Sequence, residues 1–111
     1  QPRLAGLNVL ELCGVSGVEV YYAGDFDPEG LLIAQKLHNF YSGAFHYWHL
    51  TVEDYMECRS NRQISTKRLK ALDKIVDPVL QSVAVRVKKL QTAGYQEGLV
   101  KRYQEDILQL C

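Results

Sequence analysis

Apolar residues open the chain at three- and four-residue spacings, Leu4, Leu7 and Leu10 with Ala5, Val9 and Leu12 beside them, after Pro2. That spacing predicts a helix over 2–13, ended near Gly14. The pattern then changes: VEVYYA at 18–23 is β-branched and aromatic, lies between Gly17 and Gly24, and predicts a short strand. Behind an acidic DFD tract, PEGLLIAQKLHNFY carries Leu31, Leu32, Ile33, Ala34, Leu37 and Phe40, a broad apolar surface that predicts a largely buried helix. FHYWHL at 45–50 predicts a second strand and completes a β-α-β unit, whose crossover is expected to be right-handed.

The second half is richer in helix signals. Thr51 with Asp54 three residues on is a capping pair for a short helix over 52–58. RSNRQ, next, reads as a polar loop, and 66–76 as helical with Leu69, Leu72, Ile75 and Val76 on one side. Asp77 followed by Pro78 is an N-cap and first-turn proline, opening a helix through Ala93 with Val79, Leu80, Val83, Val87 and Leu90 inward. Gly94 ends it, and a last helix from about 97 to 110 is expected to bury Leu99, Val100, Tyr103, Ile107 and Leu108.

The fold class is therefore α/β: a Rossmann-like parallel sheet of few strands flanked by helices, as one domain over 1–111 with an α/β part at 1–58 and a helical part at 59–111. Two strands cannot cover their own sheet edges, and the chain starts at Gln1 rather than methionine. The expectation is a fragment of a longer protein whose upstream part holds a further strand.

Composition narrows the classes. With 111 residues, 47% of them hydrophobic, the chain can bury a core and is not a disordered segment. No apolar run reaches the roughly 18 residues of a membrane span, and no basic-then-apolar leader opens the chain, so a cytoplasmic protein with no membrane partner is expected. Cys13, Cys58 and Cys111 are odd in number and lack a CxxC spacing, which points to neither a disulfide framework nor a zinc site. The zero net charge conceals a division: up to Cys58 two basic residues face eight acidic ones, net −6, and from Arg59 onward eleven basic face five acidic, net +6. A cation site beside a polyanion groove would look like this, as would two ordinary solvated faces.

The acidic tract sits where chemistry is expected. In a parallel α/β unit ligands bind at the carboxyl end of a strand and the amino end of the next helix. Asp25 and Asp27 fall there, two residues apart and so on one side of the departing strand, able to share a hard divalent cation that offsets their mutual repulsion. Gly30, in the first turn of the helix, would let a phosphate approach the free N–H groups of its amino end. A plainer reading also accounts for much of the tract: Asp27 as N-cap, Pro28 as first helical residue and Glu29 at the positive end of the helix dipole, with Asp25 and Gly30 left over.

YYAGDFDPEGLLIA resembles the DxD segment of the Toprim domain, the metal-binding fold shared by topoisomerases, primases and several nucleases. The DxDPxG form is especially similar to that of the type IIB topoisomerase A subunit and its meiotic relative. QPRLAGLNVLELC, VEVYYAGDFDPEGLLIAQKL, YWHLTVEDY and YQEGLVKRYQEDILQL together resemble the C-terminal domain of uncharacterised bacterial proteins that include the nuclease subunit of the Wadjet anti-plasmid defence system. The resemblance implies a Mg2+- or Mn2+-dependent DNA endonuclease, with Asp25 and Asp27 as ligands and a further Glu on an earlier strand. The fragment alone is then expected to be inactive. It also implies DNA as partner, a homodimer, and an SMC-like defence complex. Glu97, in YQEG, falls where similar sequences also carry Glu, a further ligand or orienting group, or else an ordinary acidic first-turn residue. Arg59, Arg62, Lys67, Arg68, Lys70 and Lys74 are the candidates for DNA backbone contacts. Two other classes fit: a non-catalytic Toprim-like module that binds DNA or a protein, and a sporulation or other housekeeping protein that borrowed the architecture.

The remaining signals carry little chemistry. His46 and His49 fall on opposite faces of a strand and form no ligand set with His38. Trp48 reads as core beneath a helix, and Tyr21 and Tyr22 as strand residues rather than nucleophiles, which leaves water as the attacking group. No GxxxxGK[ST] or GxGxxG motif occurs. Pro28 and Glu29 stand where phosphatases with an aspartyl nucleophile have Thr or Val.

Overall fold

The computed structural model describes residues 7–12, 19–41 and 43–110. Its first element is a strand, β1 (Leu7–Leu12), where the leucine spacing predicts a helix; the remainder of that helix, 2–6 and 13, lies outside the described residues. β1 pairs antiparallel with β2 (Glu19–Gly24), Leu7 opposite Gly24 and Leu12 opposite Glu19. The physical reason is long-range. A short helix is marginal on propensity alone, whereas a six-residue ladder satisfies a row of β2 backbone groups that would otherwise be an unpaired edge.

From β2 the chain passes through the DFD tract into α1 (Pro28–Phe40) and returns as β3 (Ala44–Tyr47), parallel to β2. The parallel β-α-β unit is present, in a sheet ordered β1-β2-β3. α1 buries Leu31, Ala34 and Gln35, while Phe40, expected inside, is 88% exposed at its end. α2 (Val52–Cys58) opens with the reciprocal Thr51–Asp54 capping box.

Two expectations for the second half are corrected. RSNRQ is not a loop but β4 (Arg59–Gln63), and the helix expected through Ala93 is α4 (Pro78–Leu90). Gln91 turns left-handed at φ 61°, its N–H reaching Val87 O at 2.7 Å, and β5 (Thr92–Gly94) then pairs antiparallel with β4. A polar, exposed strand has no alternation to betray it, and its partner stands some thirty residues away. Between them, α3 (Thr66–Leu69) continues as a 3-10 turn, Lys70–Lys74; a second such turn, Gln96–Leu99, leads into α5 (Val100–Leu110).

One buried cluster joins the halves: Tyr22, Phe26, Leu31, Leu50 and Tyr55 pack with Ile64, Leu69, Leu72, Leu80, Val83, Val87 and Leu99. Val76, Val79, Val100 and Leu108, expected inside, are exposed. The chain is an α/β protein, and no helix among the described residues is long and apolar enough to cross a membrane.

Candidate metal and phosphate site

The DFD tract connects the end of β2 to α1. Phe26, its middle residue, is fully buried with its ring 5.4 Å from that of Tyr55, while Asp25 and Asp27 on either side are half-buried. Its backbone is clamped as well: Phe26 N–H donates to Gly94 O at 2.7 Å, and Gly94 N–H to Phe26 O at 3.0 Å. Burial of the middle side chain thus leaves both carboxylates on the outer side of the loop.

Each carboxylate is oriented by one backbone amide. Gln96 N–H donates to Asp25 Oδ1 at 2.9 Å, and Gly30 N–H to Asp27 Oδ1 at 2.7 Å. Asp27 is therefore the helix cap that the plainer reading requires. Burial raises its pKa above the ordinary carboxyl value, the Gly30 N–H works against that, and the charges of Glu29 and Asp25 add to the rise. Gly30 has a local cause too: a Cβ there would collide with the Asp25 carbonyl oxygen and lie 3.0 Å from Asp27 Oδ1. The glycine is required by the return of the loop over the helix start, whatever else approaches it.

Asp25 opens onto a cleft of about 390 Å³, lined by Asp25, Tyr95, Gln96, Glu97, Val100 and Tyr103. Glu97 is thereby brought to the same cavity as Asp25 across 72 residues of chain. The acids offer hard oxygen donors with unused lone pairs, the chemistry that suits Mg2+ or Mn2+ retaining several waters. Asp25, Asp27 and Glu97 are the residues that could hold such an ion, although among the described residues no three His, Cys, Asp or Glu side chains form a complete ligand group.

The basic candidates divide. Arg68 forks Glu29 in the first turn of α1, Nε to Oε2 at 3.1 Å and Nη2 to Oε1 at 2.5 Å, and its charge also favours the Asp27 carboxylate. Arg59 and Arg62 stand on β4, Lys67 on α3, and Lys70 and Lys74 on the turn that follows; all are exposed. Arg59 Nη1 is 3.5 Å from Thr92 Oγ1.

Sequence reasoning missed Gln96, whose contribution is a backbone amide and so independent of residue type, and Tyr95 and Tyr103. Tyr103, expected to be buried, lines the cleft, and its hydroxyl is buried without a hydrogen-bond partner among the described residues. Trp48 packs on Tyr103 of α5 with ring centroids 4.7 Å apart, but it is half-buried and outside the buried cluster, so it is not the core residue expected. His49 stands beyond β3 at φ 53°, and His46 pairs with Glu19 at 3.0 Å. Tyr22 is buried as expected. The Cys58 thiol is pushed up to about 11, chiefly by burial, which disfavours its thiolate at neutral pH.

A parallel β-α-β unit whose strand-end loop carries two aspartates, Asp25 lining a cleft walled by the start of α5 and Asp27 capping α1, defines the class: an α/β domain with acidic residues at a strand end. Residues 1–107 match the family DUF2399, described as a protein of unknown function C-terminus, and the chain belongs to that family. Comparison with curated proteins and with solved structures finds no match.

Proposed function

We propose that the chain is the metal-binding part of a DNA phosphodiester-cleaving enzyme of Toprim type, in the manner of the defence nucleases it resembles. The observation that carries this reading is the meeting of Asp25 and Glu97 in one cleft, with Asp27 on the same strand-end loop. A bound Mg2+ or Mn2+ would supply charge to polarise the phosphodiester and to stabilise the departing oxygen. The chain's own part is placement. Gln96 N–H and the clamped Phe26 backbone fix the Asp25 carboxylate, the α1 amino end fixes that of Asp27, and Glu97, exposed in the cleft lining, would take a proton from water. Arg62, Lys67, Lys70 and Lys74, exposed on the basic half, would neutralise backbone phosphates, with an affinity that falls as salt rises.

In the whole protein, with Mg2+ or Mn2+, supercoiled circular DNA should be nicked and Asp25→Ala should lose that activity by at least a hundredfold while its circular dichroism is unchanged. Metal-dependent nicking retained in Asp25→Ala overturns the reading. The incomplete acid set favours one alternative, a non-catalytic module that binds DNA or a protein partner. Parent protein that retards DNA on gels yet cuts neither circular nor linear substrate would establish it.

A further inference from the structure

We infer that Tyr103 is a ligand-binding residue of the Asp25–Glu97 cleft, donating its phenol hydrogen to a phosphate oxygen held there, and that His49 positions it. This rests on the phosphodiester reading above and adds a residue to it.

Tyr103 OH is the buried side-chain polar atom with no hydrogen-bond partner among the described residues. Such groups are rare because desolvation is not repaid, and they point to a partner that arrives with function. The ring belongs to the cleft wall that Asp25 and Glu97 share. Burial holds the phenol far above its ordinary pKa, with nearby Cys58, Asp54 and Asp25 adding to the shift, so it stays a neutral donor. A donor without charge can face both a carboxylate and an anionic oxygen.

The ring is held in a manner that a plain packing role does not need. It stacks on Trp48 at 4.7 Å and 28°, and lies 5.2 Å from the His49 ring at 38°. His49 in turn is gripped at both nitrogens, Nε2 to Asp106 Oδ2 at 2.6 Å and Nδ1 to Asp54 Oδ1 at 3.3 Å; Asp54 also accepts from Thr51 Oγ1 at 2.8 Å. The His49 φ of 53° is uncommon for a residue with a side chain, a strain maintained by those contacts. The clasp fastens α5, through Asp106 and Tyr103, to the loop that holds Trp48 and His49. The phenol oxygen is screened from bulk water, so a ligand atom reaches it only if α5 shifts outward.

The test is calorimetric titration of the whole protein with Mn2+, then with inorganic phosphate at saturating Mn2+. Tyr103→Phe should weaken phosphate by roughly 10- to 150-fold, the loss of one hydrogen bond to a charged group, and leave Mn2+ affinity within about twofold. Its urea midpoint should equal or exceed the parent's, since an unpartnered hydroxyl has been removed; a midpoint clearly below the parent's with phosphate binding unchanged would show that the hydroxyl serves a structural partner and would overturn the inference. His49→Gln should weaken phosphate in the same direction with Mn2+ binding retained, and carries the test if Tyr103→Phe does not fold. Phosphate bound as tightly by the variant as by the parent overturns the inference. A parent protein that binds no Mn2+ sinks the metal reading instead, so the two failures are told apart.

Discussion

Gly30 shows how much a single position can be asked to satisfy. In an ordinary helix Gly→Ala stabilises by about 1 kcal/mol. Here the added methyl would meet the Asp25 carbonyl and press on Asp27 Oδ1, both backbone-anchored, so the sign reverses. Gly30→Ala is expected to lower stability by roughly 1–3 kcal/mol in urea denaturation and to weaken Mn2+ binding with it, because the loop that must yield carries Asp25. A variant more stable than the parent would show that the loop has room to relax. At this scale the acidic residues were legible, since DFD and YQEG are motifs with their own chemistry. Gln96 was not, because a backbone amide leaves no trace in residue identity. Tyr103 was legible only as an apolar position, since the sequence does not say that its hydroxyl lacks a partner.

Among the elements, α4 carries the best-defined cap. Asp77 Oδ1 accepts from Val79 N–H at 2.8 Å, while Oδ2 accepts from Tyr47 OH at 2.7 Å and lies 2.9 Å from His38 Nδ1. Burial opposes the Asp77 charge, but these hydrogen bonds outweigh it and hold its pKa below the ordinary carboxyl range. The unfolded chain therefore takes up the proton more readily. The stability this carboxylate contributes is present above the unfolded value of about 4 and is lost as pH falls through the lower folded one. Asp77→Ala is expected to cost about 1–2 kcal/mol at pH 7 through loss of the cap. The gap to the parent should narrow by pH 2.5, measured by urea unfolding at both values; a gap that does not change with pH would contradict it. Elements with local punctuation, α1, α2 and the start of α4, could be read because proline and capping residues act within one turn. β1, β4 and β5 could not: what makes them strands is pairing with residues far along the chain, and the leucines of β1 satisfy a helical spacing equally well.

For the whole molecule, the decisive contact is one that joins the two oppositely charged parts. Gly94, in β5, exchanges two backbone hydrogen bonds with Phe26, and the amide two residues later holds Asp25. The acidic loop is thus shaped by the segment that follows α4, and the buried cluster runs without a break from Tyr22 to Leu99. The charge division suggested two faces, but packing makes them one unit. A Cβ at Gly94 would lie 3.1 Å from Cys58 Sγ, 3.2 Å from Tyr55 Cδ1 and 3.4 Å from Phe26 Cβ, and Tyr55 and Phe26 are fully buried with no direction in which to give. Gly94→Ala is therefore expected to cost roughly 1–3 kcal/mol. It should also reduce Mn2+ affinity, although residue 94 offers no ligand. Trp48, the chain's one tryptophan, stacks on Tyr103 of α5 and reports on the contact between the halves, and far-ultraviolet circular dichroism reports on the helices of both. Their urea transitions should coincide in parent and variant alike and shift together. If the Gly94→Ala transitions separate, with Trp48 released before the helices melt, then the halves fold independently and the Phe26–Gly94 bridge positions Asp25 without coupling them.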